Sequence, residues 1–209
     1  MKRILFFGDS NTFGYDPRAL FGGRYSEDVR WTDIVARDLS DRFEVIPRGM
    51  NGRCIPRSEY EIEALEKLIK AHAPLDYFAI MLGTNDVLLT TSPDPDLAIR
   101  NMKALLTRLL DKVSDSGSTE IILVIPPYMF PGSSAHSPFW MYEDASKRLA
   151  RGYATVAEEL GLRTIDTTKW MVDLDSDGVH ISERGSLEFA EHMKEALLSI
   201  QGVIVTDKE

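Results

Sequence analysis

Five short apolar runs, separated by segments of helical spacing, constrain this chain more than any other feature. They are Ile4-Leu5-Phe6-Phe7, Phe43-Glu44-Val45-Ile46, Asp76 to Leu82, Glu120 to Ile125, and Leu162-Arg163-Thr164-Ile165-Asp166. The first, third and fourth are almost continuously hydrophobic, as strands buried on both faces must be. Between them, Trp31, Ile34, Val35 and Leu39 recur at helical spacing, as do Ile62, Leu65, Leu68 and Ile69. Further helices are predicted over Leu97 to Val113, Trp140 to Leu160 and Leu187 to Ile200. Pro74 stops the second helix, and Ser92-Pro93-Asp94-Pro95 and Gly117 bracket the third. This alternation predicts an α/β fold with a five-stranded parallel sheet covered on both faces. With no repeat, low-complexity tract or linker, residues 1–209 read as a single domain.

Composition narrows the partners. Against 24 Lys and Arg stand 33 Asp and Glu, and a net charge of -9 would repel nucleic acid and anionic membranes alike. The apolar run after Met1-Lys2-Arg3 ends after four residues, whereas a secretory signal needs roughly 7–15. No stretch approaches the ~20 apolar residues of a membrane span. A cytoplasmic protein without a membrane partner is expected. Cys54 is the only cysteine, so an intrachain disulfide is impossible, and it reads as a buried or incidental thiol rather than a nucleophile. His72, His136, His180 and His192 show no pair at metal-ligand spacing, so no metal is expected.

The predicted strands end in polar breaks. Gly8-Asp9-Ser10-Asn11 follows the first, Pro47 to Gly52 forms a loop after the second, and Gly83-Thr84-Asn85-Asp86 follows the third. Parallel strands bring their carboxyl ends to one edge, where open α/β sheets hold their ligands. Asp177-Gly178-Val179-His180, before the last helix, has the spacing to reach the same edge on one turn. Any one of these residues alone is more often a turn former or a cap. Their coincidence at corresponding strand ends points to chemistry. A serine hydroxyl needs an imidazole to take its proton, and the imidazole needs a carboxylate to fix its tautomer. Ser10, His180 and Asp177 supply that series, with Asp173 and Asp175 as rivals for the carboxylate. The backbone N–H groups of Ser10 and Gly52 and the Asn85 amide are candidate donors to an oxyanion. A nucleotide-binding domain is disfavoured, because neither G-x-x-x-x-G-K nor G-x-G-x-x-G occurs. Nor is there a G-x-S-x-G nucleophile elbow.

Taken in order, Gly8-Asp9-Ser10, Gly52, Gly83-Thr84-Asn85-Asp86 and Asp177-Gly178-Val179-His180 resemble the four blocks of the SGNH, or GDSL-type, serine hydrolase superfamily. The resemblance implies a flavodoxin-like three-layer α/β/α sandwich with strand order 2-1-3-4-5. It also implies ester hydrolysis without metal or cofactor, with Ser10 as nucleophile, His180 as base, Asp177 in support, and an oxyanion hole of Ser10, Gly52 and Asn85. Asp28-Val29-Arg30-Trp31-Thr32, Met81 to Asp86 and Pro126-Pro127 are similar to the arylesterase and acyltransferase branch, whose members act on small esters and commonly form homo-oligomers. Carbohydrate O-acetylesterase activity and acyl transfer to alcohols are the alternatives within this chemistry. At position 11 the chain has Asn where the family name has leucine.

Substrate choice falls to the irregular segments after Ser10 and over Pro126 to Pro138, the second a candidate lid or binding loop. Asn11, Phe13, Tyr15, Met129, Phe130, Phe139 and Trp140 are candidate substrate-binding residues. Phe139 and Trp140 have two other readings: they begin a helix and pack in the core, or they bury against a neighbouring subunit. Met102, Met171 and Met193 read as core fillers.

Overall fold

The computed structural model describes residues 1–19, 23–90, 92–116 and 119–202, with backbone alone for 113–116. Gly117, and Phe21 and Gly22 of the loop after the first strand, lie outside the described residues. Strands β1 (Lys2–Gly8), β2 (Phe43–Gly49), β3 (Tyr77–Met81), β4 (Glu120–Ile125) and β5 (Arg163–Asp166) form one parallel sheet in the order β2-β1-β3-β4-β5. This is the expected order. Helices α1 (Ser10–Phe13), α2 (Trp31–Asp38), α3 (Glu59–Ala71), α4 (Thr84–Leu88), α5 (Pro95–Ser116), α6 (Trp140–Leu160) and α7 (Glu183–Ile200) connect the strands or close the chain.

The continuous apolar runs divide residue by residue between the two faces, because successive strand side chains point opposite ways. Ile4, Phe6, Ala79, Ile122 and Val124 pack on Trp31, Ile34 and Val35 of α2 and Phe189, Met193 and Leu197 of α7. Leu5, Phe7, Phe78, Ile80 and Leu123 pack on Leu65 of α3, Met102 and Leu105 of α5, and Leu149 and Tyr153 of α6. Among the described residues, no helix is long and apolar enough to cross a membrane.

Several boundaries differ from expectation. β2 does not stop at Ile46. Pro47, Arg48 and Gly49 continue it, paired with Phe6, Phe7 and Gly8. β2 is an edge strand, where a proline can be accommodated. α4 forms inside what reads as a polar break, and α7 begins at Glu183 because Ser182 caps it, its Oγ accepting the Gly185 N–H at 3.0 Å. Met102 and Met193 are fully buried, but Met171 is 91% exposed, so it is no core filler. It sits at φ 48° on the corner after the 3₁₀ turn Thr167–Trp170, where no helical face holds it against the sheet.

The register brings Gly8 level with Gly49 on one side and Met81 on the other, so the first three loops leave the sheet at one edge. α1 lies directly across β2 there. A Cβ on Gly49 would come 2.1 Å from the Phe13 nitrogen, a backbone atom with little freedom to move. On its other side α1 rests on Trp31, whose Nε1–H donates to the Asn11 carbonyl at 2.8 Å. The Trp31 ring stands edge-on to Phe6 at 5.1 Å. Asp9 caps α1, accepting the Asn11 N–H at 3.0 Å, and is 2% exposed. Burial pushes its carboxyl up to about 6, although the Asn11 N–H and the nearby His180 and Arg53 pull the other way.

Gly49→Ala should therefore displace α1 and lower stability by about 1–3 kcal/mol, as overpacking does. A urea midpoint matching wild type would contradict that contact. For Asp9, the ordinary value of 3.8 applies to the unfolded chain, so the folded chain holds the proton more tightly. Stability should fall as pH rises from about 4 to about 6, to a loss of about 3 kcal/mol at neutral pH. Asp9→Asn keeps a capping acceptor and should be more stable than wild type at pH 7, with that fall absent from urea titrations. An unchanged pH profile would contradict it.

Candidate active site

Ser10 opens α1 two residues beyond the end of β1 and is 6% exposed. Its Oγ lies 3.0 Å from Nε2 of His180, 170 residues later in the chain. The other ring nitrogen, Nδ1, lies 2.6 Å from Oδ2 of Asp177. An ionised carboxylate can only accept, so the Nδ1 proton faces Asp177 and neutral Nε2 is left to accept the Ser10 hydroxyl.

Asp177 is held from within its own loop. Its Oδ1 accepts the N–H groups of Val179 and His180, each at 2.9 Å. Partial burial opposes its charge, but those N–H groups and the His180 ring outweigh it and hold the carboxyl below its ordinary value. The two rivals are engaged elsewhere. Asp173 accepts from Ser182 Oγ at 2.5 Å and pairs with Arg184 at 2.6 Å, and Asp175 pairs with Arg18 at 3.2 Å.

The loops after β2 and β3 meet beside Ser10's strand. Met50 N–H donates to the Gly8 carbonyl at 3.2 Å. Asn85 donates one amide hydrogen to the Arg53 carbonyl at 3.0 Å, and Asp86 accepts the Ile55 N–H at 3.0 Å. Gly52 has φ 70°, a conformation that favours glycine, and a Cβ there would meet open space. No protein atom crowds this position, so within the chain it is backbone conformation that favours glycine at 52.

The candidate substrate-binding residues scatter. Tyr15 stays near the chemistry, its ring 4.6 Å from the imidazole. Phe130 donates its N–H to the Gly178 carbonyl at 2.7 Å and stacks on Phe139 at 4.5 Å, so the long loop touches the loop of Asp177. Phe139 and Trp140 are 47% and 45% exposed, so they do not pack in the core. Phe13 lies under the Arg24 guanidinium at 4.5 Å. Two of the candidates are corrected. Met129 is 2% exposed within the core on the α6 face, since the loop there turns inward. Asn11 is buried, and its amide is committed to the backbone on either side of His180, donating to Val179 O at 3.2 Å and accepting from Ile181 N at 2.9 Å.

Arg53 and Arg18 lie outside every motif of the sequence. Arg53 hydrogen-bonds the carbonyls of Gly8 and Arg48, and Arg18 ties the segment after α1 to Asp175 and Glu183. The only signal for Arg53 is a cation adjoining Gly52. Among the described residues, no three His, Cys, Asp or Glu side chains gather as metal ligands.

Solved structures share the whole architecture. The native aryl esterase of M. smegmatis is 29% identical, with a TM-score of 0.78 over 95% of this chain and 99% of its own. A carbohydrate acetylesterase family member from Sinorhizobium meliloti is 26% identical, with a TM-score of 0.78 over 97% of this chain and 100% of its own. The lipase/acylhydrolase of Enterococcus faecalis is 25% identical, with a TM-score of 0.66 over the full length of both. A search of curated proteins found no match. The GDSL-like lipase/acylhydrolase family model matches residues 6–186, from within the first strand to beyond His180. On that match the chain belongs to the GDSL-like lipase/acylhydrolase family and is a carboxylic ester hydrolase.

Proposed function

We propose that this protein hydrolyses small acyl esters, acetyl or short-chain and including aryl esters, through an acyl-enzyme on Ser10. The observation that carries this reading is the series Ser10 Oγ, His180, Asp177, with contacts of 3.0 and 2.6 Å. As Ser10 Oγ attacks the ester carbonyl, its proton passes to His180 Nε2, and the carbonyl oxygen gains the charge. Asp177 remains ionised and steadies the imidazolium, consistent with the depressed value of its carboxyl. The oxyanion is met by the N–H groups of Ser10 and Gly52 and by the Asn85 amide hydrogen not spent on Arg53. When the tetrahedral adduct collapses, the alcohol departs with the His180 proton. Water then gives a proton to His180, attacks the acyl group, and restores Ser10 as the acid leaves. Acyl transfer to an alcohol replaces only that water.

Carbohydrate O-acetylester hydrolysis is the second reading, favoured by the likeness to the Sinorhizobium protein. The exposed aromatics Phe139 and Trp140 beside Phe130 favour apolar esters instead.

Ser10→Ala should retain the fold and lower kcat on p-nitrophenyl acetate by at least about a thousandfold. Activity within about tenfold of wild type would refute an acyl-enzyme on Ser10. On substrate class, kcat/KM should be higher for p-nitrophenyl acetate than for a peracetylated sugar. The reverse order would favour the carbohydrate reading.

A further inference from the structure

Arg53 makes more connections between site loops than the chemistry above requires. Its Nη1 donates to the carbonyl of Gly8, the last residue of β1, at 2.7 Å and to the Arg48 carbonyl in β2. Its guanidinium carbon lies 4.0 Å from the centre of the Phe7 ring, within cation–π range. Its N–H donates to the Met50 carbonyl at 3.2 Å, closing the four-residue turn Met50-Asn51-Gly52-Arg53. Gly52, at φ 70°, occupies the third position of that turn, where positive φ is characteristic of type II. The Arg53 carbonyl accepts the Asn85 amide at 3.0 Å. One residue thus touches the end of Ser10's strand, the turn that aims Gly52, and the side chain of Asn85.

We propose that Arg53 is a positioning residue for the oxyanion site, fixing the Gly52 N–H and the Asn85 amide relative to Ser10. The proposal rests on the reading that those three residues receive the oxyanion. Held this way, the donors need no reorganisation when charge develops, which is the source of their effect. Burial opposes the Arg53 charge, and the neighbouring Asp9 carboxylate favours it, so the cation stays beneath the site. An Arg retained only to fill space would touch the same atoms. It would not, however, be coupled to the transition state.

The test uses the full chain with Arg53→Met, Arg53→Lys, Asn85→Ala and the combined variants, on p-nitrophenyl acetate. Arg53→Met should lower kcat by about 100-fold with KM within about threefold, since small misplacements at a reacting centre act on that scale. Affinity for phenylboronic acid, which forms a tetrahedral adduct on the serine, should fall by a similar factor. Arg53→Lys keeps a cation and donors and should recover most of the loss. Adding Asn85→Ala to Arg53→Met should lower kcat less than it does in wild type, because the two act through one arrangement. A folded Arg53→Met variant with kcat within about threefold of wild type, or losses that simply multiply, would overturn the proposal. If Arg53→Met fails to fold, Arg53→Gln, which loses the charge but keeps a polar side chain, takes its place in the same comparison. Failure of both to fold would make Arg53 a determinant of the sheet and also overturn it. Ser10→Ala in the same assay separates the cases: activity there sinks the mechanism, whereas inactivity there with normal Arg53 variants sinks this proposal alone.

Discussion

Asn11 accepts the N–H of Ile181 and donates to the carbonyl of Val179, so the residue after Ser10 grips the peptide groups on either side of His180. The two ends of the site are 170 residues apart in sequence, and this amide holds them at hydrogen-bond distance. Other contacts bear on the same loop. The Tyr15 ring packs on the imidazole, Phe130 takes the Gly178 carbonyl, and Arg18 holds Asp175. Each such bond contributes only about 1 kcal/mol. Their effect lies in geometry, because a displacement of about 1 Å at a reacting centre can lower rate about a hundredfold.

Beneath this arrangement the chain keeps charge buried near the end of β1. Asp9 is 2% exposed, and Arg53 lies close enough to favour its ionised form. Burial likewise raises Asp86, whose carboxylate accepts the Ile55 N–H. Polar groups enclosed this way lower stability unless partnered, and partnered they specify a single local arrangement. The hydrophobic core follows another logic: the sheet is packed on both faces by apolar side chains, and the polar groups of the candidate site gather at its loop edge.

Much of this was legible in the chain because parallel strands buried on both faces leave continuous apolar runs. Ile4 to Phe7 and Glu120 to Ile125 are such runs, and the polar residues beyond the first three strands fall at one edge. The Asp177–His180 spacing was legible for a local reason, since one short loop closes on its own carboxylate. The rest depends on partners far along the chain. Pro47 to Gly49 is strand because β1 lies alongside it, a fact that local propensity does not contain. Asn11 reads as a substrate contact until Val179 and Ile181 claim its amide, and Met129 reads as a pocket wall until its loop turns into the core. Arg53 carries almost no sequence signal, because its four hydrogen-bond partners lie in three different elements and a turn.

The proposed chemistry depends on the reactivity of one hydroxyl. Reaction with a fluorophosphonate, followed by proteolysis and mass spectrometry, reads it directly. A single adduct on the peptide holding Ser10, abolished by prior unfolding, is the result expected when His180 activates that oxygen. An adduct on a different residue, or an intact folded enzyme that cleaves esters and takes no label, would contradict it.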